Sequence, residues 1–200
     1  MRQMRNIPPS AVVSAAVLAI AWALPAFASL QSGAAAPDFT APASLAGKPF
    51  SFSLKAALLK GPVVVYFYPS AFTGGCNVQA HEFAVNKDKF TAAGASIIGV
   101  SLDSIERLND FSADPAYCGG KIPVASDVDG KIAKSYELKV SEAKSGLKDS
   151  RGLEINHGFA ERTTFIVTPE GRIFATIGGV RSEENVNEAL IAVKRLTGKS

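Results

Sequence analysis

Cysteine is scarce in this chain: 200 residues contain only Cys76 and Cys118. The Cys-x-x-Cys pair that disulfide exchange uses is absent, because Thr73 and Gln79 stand three residues before and after Cys76. No block of lysines and arginines with interleaved aromatics occurs, which makes nucleic acid and anionic membrane surfaces poor candidates as partners. Asp127 and Asp129 lack the third acid and terminal glutamate of a calcium loop, so they read as a turn and a helix cap. Long apolar runs are also missing. The longest, Ala11 to Pro25, is about fifteen residues, short of the ~20 that span a bilayer.

That run lies between Arg2 and Arg5 on one side and Ala26-Phe27-Ala28 on the other. Positive, apolar, then small-x-small is the order of a secretory signal peptide. Residues 1–28 are assigned to it, with cleavage after Ala28, and an uncleaved N-terminal anchor is the alternative. Export, with a periplasm as destination, is the expectation, without stable membrane association once the leader is removed. Losing Arg2 and Arg5 from the 21 basic residues leaves 19 against 18 acidic, a nearly neutral mature chain. An oxidising compartment also lets a plain Cys76–Cys118 staple persist.

Residues 29–42, small and proline-bearing, read as a flexible lead-in, and one domain is expected over 36–199. Val63–Tyr68 and Ser96–Ser101 read as buried strands by length and β-branched content. Between them Cys76, Ala80, Phe83 and Phe90 recur at helical spacing, and Gly94 stands where a helix C′ residue would. Asp103 with Glu106 reads as a capping box, opening a helix through Ile105, Leu108 and Phe111. Ile122–Ala125 is a short strand and Ile132–Leu138 a short helix. Residues 139–160 are polar and lysine-rich without a period. Thr163–Val167 and Arg172–Ile177 flank a Pro169-Glu170-Gly171 turn as a hairpin, and Glu184–Leu196 is an amphipathic helix. The order predicts an α/β fold, one central mixed sheet with helices on both faces.

Cys76 thus falls between a buried strand and the first turn of a helix, where backbone N–H groups and the macrodipole favour an anion. Helix starts and nearby cations are settings that favour a thiolate, the nucleophilic form. Thr73 is close enough for its hydroxyl to meet the sulfur or what the sulfur attacks. Pro69 fixes the strand exit, and Gly74 and Gly75 allow close approach to the backbone.

Pro69-x-x-x-Thr73-x-x-Cys76 after an apolar strand resembles the active-site signature of the peroxiredoxins, most of all the bacterioferritin-comigratory type. Ala36-Pro37-Asp38-Phe39, the Ile97–Asp103 strand exit, Pro123–Asp127 and Arg162–Val167 extend the likeness over most of the mature chain. The resemblance implies a thioredoxin-like fold and reduction of hydrogen peroxide or organic hydroperoxides. It requires no metal and no cofactor, implies Arg162 as the active-site arginine, and leaves Thr73 and the backbone around Gly75 to position substrate.

A thiolate attacks one peroxide oxygen while the other departs with negative charge, so a permanently charged guanidinium suits both sides of the step. A thiol of pKa ~8.5 is already a few per cent ionised near neutrality, so full ionisation yields only ~30-fold. Larger acceleration must come from orientation and donors.

The sulfenic acid so formed condenses with a second thiol. Relatives with a resolving cysteine five residues on have one where this chain has His81. Five residues are ~500° of helix rotation, which turns His81 away from Cys76 and makes it a surface histidine. Cys118, in the loop Asp114–Gly120, corresponds to relatives that keep the resolving cysteine near the second helix; an external thiol is the alternative. A thioredoxin-like donor is expected to reduce the disulfide, in a monomer or homodimer. Gln79 departs from the glutamate that relatives often carry. Two other readings stay open: a thioredoxin-like copper chaperone recruiting Cys76, Cys118 and His157, and a non-catalytic module with a structural disulfide.

Overall fold

Val63–Phe67 (β3) is buried at every position, as a strand must be when helices cover both faces of its sheet. It runs parallel to Ser96–Ser101 (β4) and antiparallel to Thr163–Val167 (β6). The computed structural model describes residues 29–199; the expected leader, 1–28, lies outside them. Around β3 the seven strands of the sheet are ordered β2-β1-β5-β4-β3-β6-β7, with β1 Thr40–Leu45, β2 Lys48–Ser53, β5 Val124–Ser126 and β7 Ile173–Gly178. Parallel pairing of β4 with β5 and the antiparallel β6–β7 hairpin make the sheet mixed, as the element order predicts.

Side-chain alternation along β3 divides the interior in two. Val64, Tyr66 and Tyr68 face a core shared with helices α2 (Gly74–Ala92), α3 (Ile105–Ala113) and α5 (Ser182–Thr197). Val63, Val65 and Phe67 face the other, closed by α1 (Leu54–Leu58) and α4 (Lys131–Ser135). In α2 the four residues read as its apolar stripe, Cys76, Ala80, Phe83 and Phe90, are all buried. Gly94 follows the C-cap Ala93 with φ +86°, the left-handed conformation that ends helices at glycine. At the start of α4 the carboxylate of Asp127 accepts the N–H groups of Ile132 and Ala133 at 3.0 and 2.8 Å, the cap expected of it.

Two readings need correction, and one hairpin went unread. The lead-in is not loose: Gly33 N–H donates to Ile173 O and Ala36 N–H to Gly171 O, each at 2.8 Å, and Phe39 is buried. Ala35 bridges Arg172, and Ile173 N–H returns a bond to Ala34 O at 2.9 Å, so the segment is tied to the edge of the sheet. Next, Thr40–Leu45 (β1) and Lys48–Ser53 (β2) form a hairpin that the sequence hides. Pro42 argues against an interior strand, and β1 meets β5 only through Ala43 and Ser44. Last, the α3 cap is Ser104, which accepts from Arg107 N–H at 3.4 Å, not Asp103. Asp103 is fully buried and turned inward.

Candidate active site

The chain leaves β3 at Tyr68, crosses Pro69–Thr73 and enters α2 with Cys76 in its first turn. Thr73 is the N-cap residue, but its hydroxyl donates to Ser70 O at 2.8 Å and makes no cap bond. The first N–H groups of α2 therefore stay without a side-chain cap, in the turn that carries Cys76, a residue 2% exposed. Thr73 was expected to meet the sulfur or what the sulfur attacks. Its proton is fixed on Ser70, and its oxygen keeps its lone pairs for an incoming donor.

Arg162, immediately before β6, reaches across the sheet to this helix start. Its Nη2 lies 3.3 Å from Cys76 Sγ, its Nη1 lies 3.4 Å from Gly75 O, and Nη1 also donates to Gln79 Oε1. Gln79, whose role the sequence leaves open, is fully buried, and its Nε2 donates to Asn185 Oδ1 at 2.9 Å. Asn185 is itself held by Thr164 Oγ1 at 2.6 Å and by its own donation to Ile177 O at 3.1 Å. Ser182 Oγ donates to Gly75 O at 2.7 Å. A Cβ on Gly75 would press on Ser182 Oγ at 3.1 Å and Arg162 Nη2 at 3.2 Å, so the glycine makes room for the guanidinium. Pro69 is partly exposed at the strand exit.

Behind the loop lies a charged network that sequence reasoning missed. Asp103 accepts Ala71 N–H at 2.7 Å, Ser101 Oγ at 2.7 Å and Ser70 Oγ at 3.0 Å, and pairs with Arg107 Nε at 2.8 Å. Arg107 Nη2 donates to Ala71 O at 3.0 Å and pairs with Asp149 at 2.8 Å. His157 Nε2 lies 2.9 Å from Asp103 Oδ1, and its Nδ1 lies 2.8 Å from Gly158 O. Burial works to raise the Asp103 pKa, but His157, Ala71 N–H and Ser101 outweigh it and hold the carboxyl below its ordinary value. The 139–160 segment supplies Asp149, Arg151 and His157, and Ser150 N–H donates to Phe72 O at 2.8 Å. Arg151 stacks on the Phe72 ring at 3.3 Å. Phe72 adopts φ +59°, which a non-glycine residue keeps only when its surroundings enforce it.

Cys76 and Cys118 are both free thiols within one hydrophobic core. Cys118 is fully buried, and burial, with the charge of Asp114, pushes its thiol well up. Gly119 and Gly120 follow it with φ +57° and +68°. Phe72 packs edge-on against Phe111 and Tyr117, linking the reactive loop to the segment that carries Cys118. His81 is exposed, as expected of a surface histidine. His157 has both ring nitrogens engaged, which counts against its recruitment to a metal with the cysteines.

A thioredoxin-like sheet with one helix-start cysteine and an arginine on its sulfur defines a class, thiol enzymes that act through a single attacking sulfur. Residues 32–176 match the AhpC/TSA family. Peroxiredoxin Bcp of Bacillus subtilis is 31% identical over 139 residues, 68% of this chain and 80% of the relative. The protein of that name from Xanthomonas campestris pv. campestris is 30% identical over 132 residues, 66% and 76% of the two chains. Among solved structures, peroxidoxin BcpB of Mycobacterium tuberculosis superposes with TM-score 0.69 at 25% identity, covering 84% of this chain and 98% of that one. Peroxiredoxin Q of Xanthomonas campestris gives 0.61 at 29%, covering 78% and 90%. The chain belongs to the AhpC/TSA family. It is a thiol-dependent peroxidase, which reduces hydroperoxides at the expense of thiols.

Proposed function

We propose that Cys76 is the attacking thiol and that Arg162, Thr73 and the start of α2 hold the peroxide in line with it. The observation that carries this reading is Arg162 Nη2 at 3.3 Å from Cys76 Sγ. The thiolate attacks the nearer oxygen, the O–O bond breaks, and the departing oxygen takes a proton and leaves as water or an alcohol. Arg162 and the uncapped N–H groups of α2 stabilise that oxygen as charge develops. Thr73, with its own proton on Ser70, accepts from the peroxide O–H and selects the end to be attacked. Gly75 lets this happen against bare backbone.

Cys118 then attacks the Cys76 sulfenic acid, water leaves, and a disulfide forms. Bridging requires Cα atoms within ~7 Å and an accessible thiolate, so the buried Cys118 reaches it by local unwinding at Asp114–Gly120. A thioredoxin-like donor reduces the disulfide. One solved relative, the bacterioferritin comigratory protein of Xanthomonas campestris, is described for alkyl peroxide reduction, which favours organic hydroperoxides beside hydrogen peroxide. The protein acts after export to a periplasm with residues 1–28 removed, as a monomer or homodimer. N-terminal sequencing of protein recovered from that compartment tests the export.

The decisive experiment mixes reduced mature protein with one equivalent of hydrogen peroxide and follows free thiols and intact mass. Loss of both thiols with a decrease of about 2 Da supports the two-cysteine cycle; a gain of about 16 Da on Cys76 transfers resolution to an external thiol. No reaction within minutes at micromolar peroxide sinks Cys76 as the attacking residue.

A further inference from the structure

The peptide joining Ser70 to Ala71 has both of its polar ends occupied. Its C=O accepts the Thr73 hydroxyl at 2.8 Å, and its N–H donates to Asp103 Oδ2 at 2.7 Å. A peptide unit is planar and stiff, so fixing the N–H fixes the carbonyl to which Thr73 is tied. The next peptide is gripped as well, its C=O accepting from Arg107 Nη2 at 3.0 Å. Asp103 and Arg107 are themselves an ion pair at 2.8 Å. Two successive peptide planes just before Thr73 are thus clamped by one buried pair at the β4–α3 junction.

We infer that Asp103 and Arg107 are positioning residues for peroxide reduction, acting through the Ser70–Ala71–Phe72 peptides to set the place and proton direction of Thr73. The inference rests on Cys76 and Thr73 as the reacting site. A fully buried carboxylate is a poor device for stability alone, since a well-packed apolar pair of similar volume does as well or better. What an apolar pair cannot do is hold a particular N–H and a particular C=O at once. A charged acceptor on the N–H also polarises the peptide, strengthening the carbonyl at its other end as an acceptor. Thr73 therefore keeps its proton on Ser70 and meets the peroxide as an acceptor. The same grip holds Phe72 at its left-handed φ of +59°.

The test uses Asp103→Asn and Arg107→Lys in the reduced mature protein. Asn keeps an acceptor for Ala71 N–H without the charge, and Lys keeps the charge without the fork. The peroxide rate is measured by competition against a haem peroxidase, the intrinsic thiol reactivity by alkylation with iodoacetamide in a Cys118→Ser background, and folding by the urea midpoint. The expected result in each folded variant is a fall of about tenfold or more in peroxide rate with alkylation within about threefold of the parent.

In a Thr73→Val background the same changes are expected to cost less than about twofold, because the route to the peroxide is gone. A peroxide rate within about twofold of the parent, or an equal fall with and without Thr73, overturns the inference. Should Asp103→Asn not fold, Arg107→Lys decides by the same criteria. Cys76→Ser is run alongside; peroxide consumption surviving in it overturns the site itself, separately from the clamp.

Discussion

Arg162 is held over the Cys76 sulfur by Gln79, a neutral amide: Gln79 Oε1 accepts from the guanidinium, and Gln79 Nε2 donates to Asn185 at 2.9 Å. The glutamine transmits the order of α5 to the arginine without placing a carboxylate beside the Cys76 sulfur. Gln79→Ala removes the amide that holds the guanidinium and leaves Thr164 as the sole donor to Asn185 Oδ1. The peroxide rate is expected to fall about 10- to 100-fold, as small misplacements of a positioned group do. Stopped-flow or competition kinetics read the change, and thermal melts are expected to show a loss of about 1–3 kcal/mol from the buried groups left unpaired.

Arg162→Ala removes both the donor to the sulfur and the charge facing the departing oxygen. Loss of one such donor costs about 10²–10³ in rate. Lysine supplies charge without the planar fork that serves Cys76 and Gln79 together, so Arg162→Lys is expected to fall between wild type and alanine. Equal rates for alanine and wild type would remove Arg162 from the chemistry.

Cys118→Ser separates attack from resolution. First-turnover oxidation of Cys76 is expected to proceed at the wild-type rate, while sustained turnover with a dithiol donor collapses and a sulfenic acid accumulates, detectable by dimedone adduct mass. Because Cys118 is fully buried in the reduced protein, oxidation of the wild type is expected to increase hydrogen exchange across residues 113–121. In Cys118→Ser no such increase follows.

The Asp103–His157 pair gives stability a defined pH window. Burial opposes protonation of His157, but the hydrogen bond and charge of Asp103 and the carbonyl of Gly158 outweigh it, and the imidazole pKa is raised. Its contribution is fully present below the ordinary histidine value of about 6.5 and is lost as pH rises through the folded value. Asp103 is lowered, so its contribution is present above about 4 and is lost as pH falls through its folded value. Urea midpoints are expected to be highest between about pH 4 and 6.5 and to decline on both sides. His157→Gln is expected to flatten the alkaline decline.

Gly99 on β4 faces Tyr66 on β3. A Cβ there would lie 2.5 Å from the Tyr66 ring and 2.6 Å from its hydroxyl. That ring stacks on Phe83 of α2 at 4.4 Å, in the core that also contains Cys76. Gly99→Ala is expected to destabilise the fold by about 1–3 kcal/mol through overpacking. It is also expected to slow peroxide reduction by displacing the first turns of α2, which urea titration and rate measurements on one sample report together.

The elements that came straight from the sequence have one thing in common: each is specified by residues that are neighbours along the chain. β3 is an unbroken β-branched and aromatic run, α2 has its apolar spacing and glycine stop, and Pro169-Glu170-Gly171 joins two apolar strands. The β1–β2 hairpin escaped because Thr40-Ala-Pro-Ala-Ser-Leu45 has little local preference for a strand. It is held by pairing with β2 and by a brief contact with β5. Asp103 was misread for a related reason. Three residues before Glu106 an acid looks like a cap, and nothing local reveals that it is turned toward Ala71 and His157.

By itself the sequence determined the class of chemistry and the placing of its candidate thiol, because strand, loop and helix start occupy one short stretch, Val63 to Cys76, whose geometry is local. It also pointed to Arg162 through its likeness to a known signature. Only the tertiary structure decided what surrounds the sulfur. Gln79, Asn185 and Ser182 converge with Arg162 from α2, α5 and the start of β6, and Asp103, Arg107, Asp149 and His157 converge on the loop from β4, α3 and the long 139–160 excursion. Partners drawn from segments so far apart in the chain leave no mark on local spacing. Buried amides and ion pairs find one another only when the sheet order brings their elements together, and here that order places them around the thiol and the loop before it.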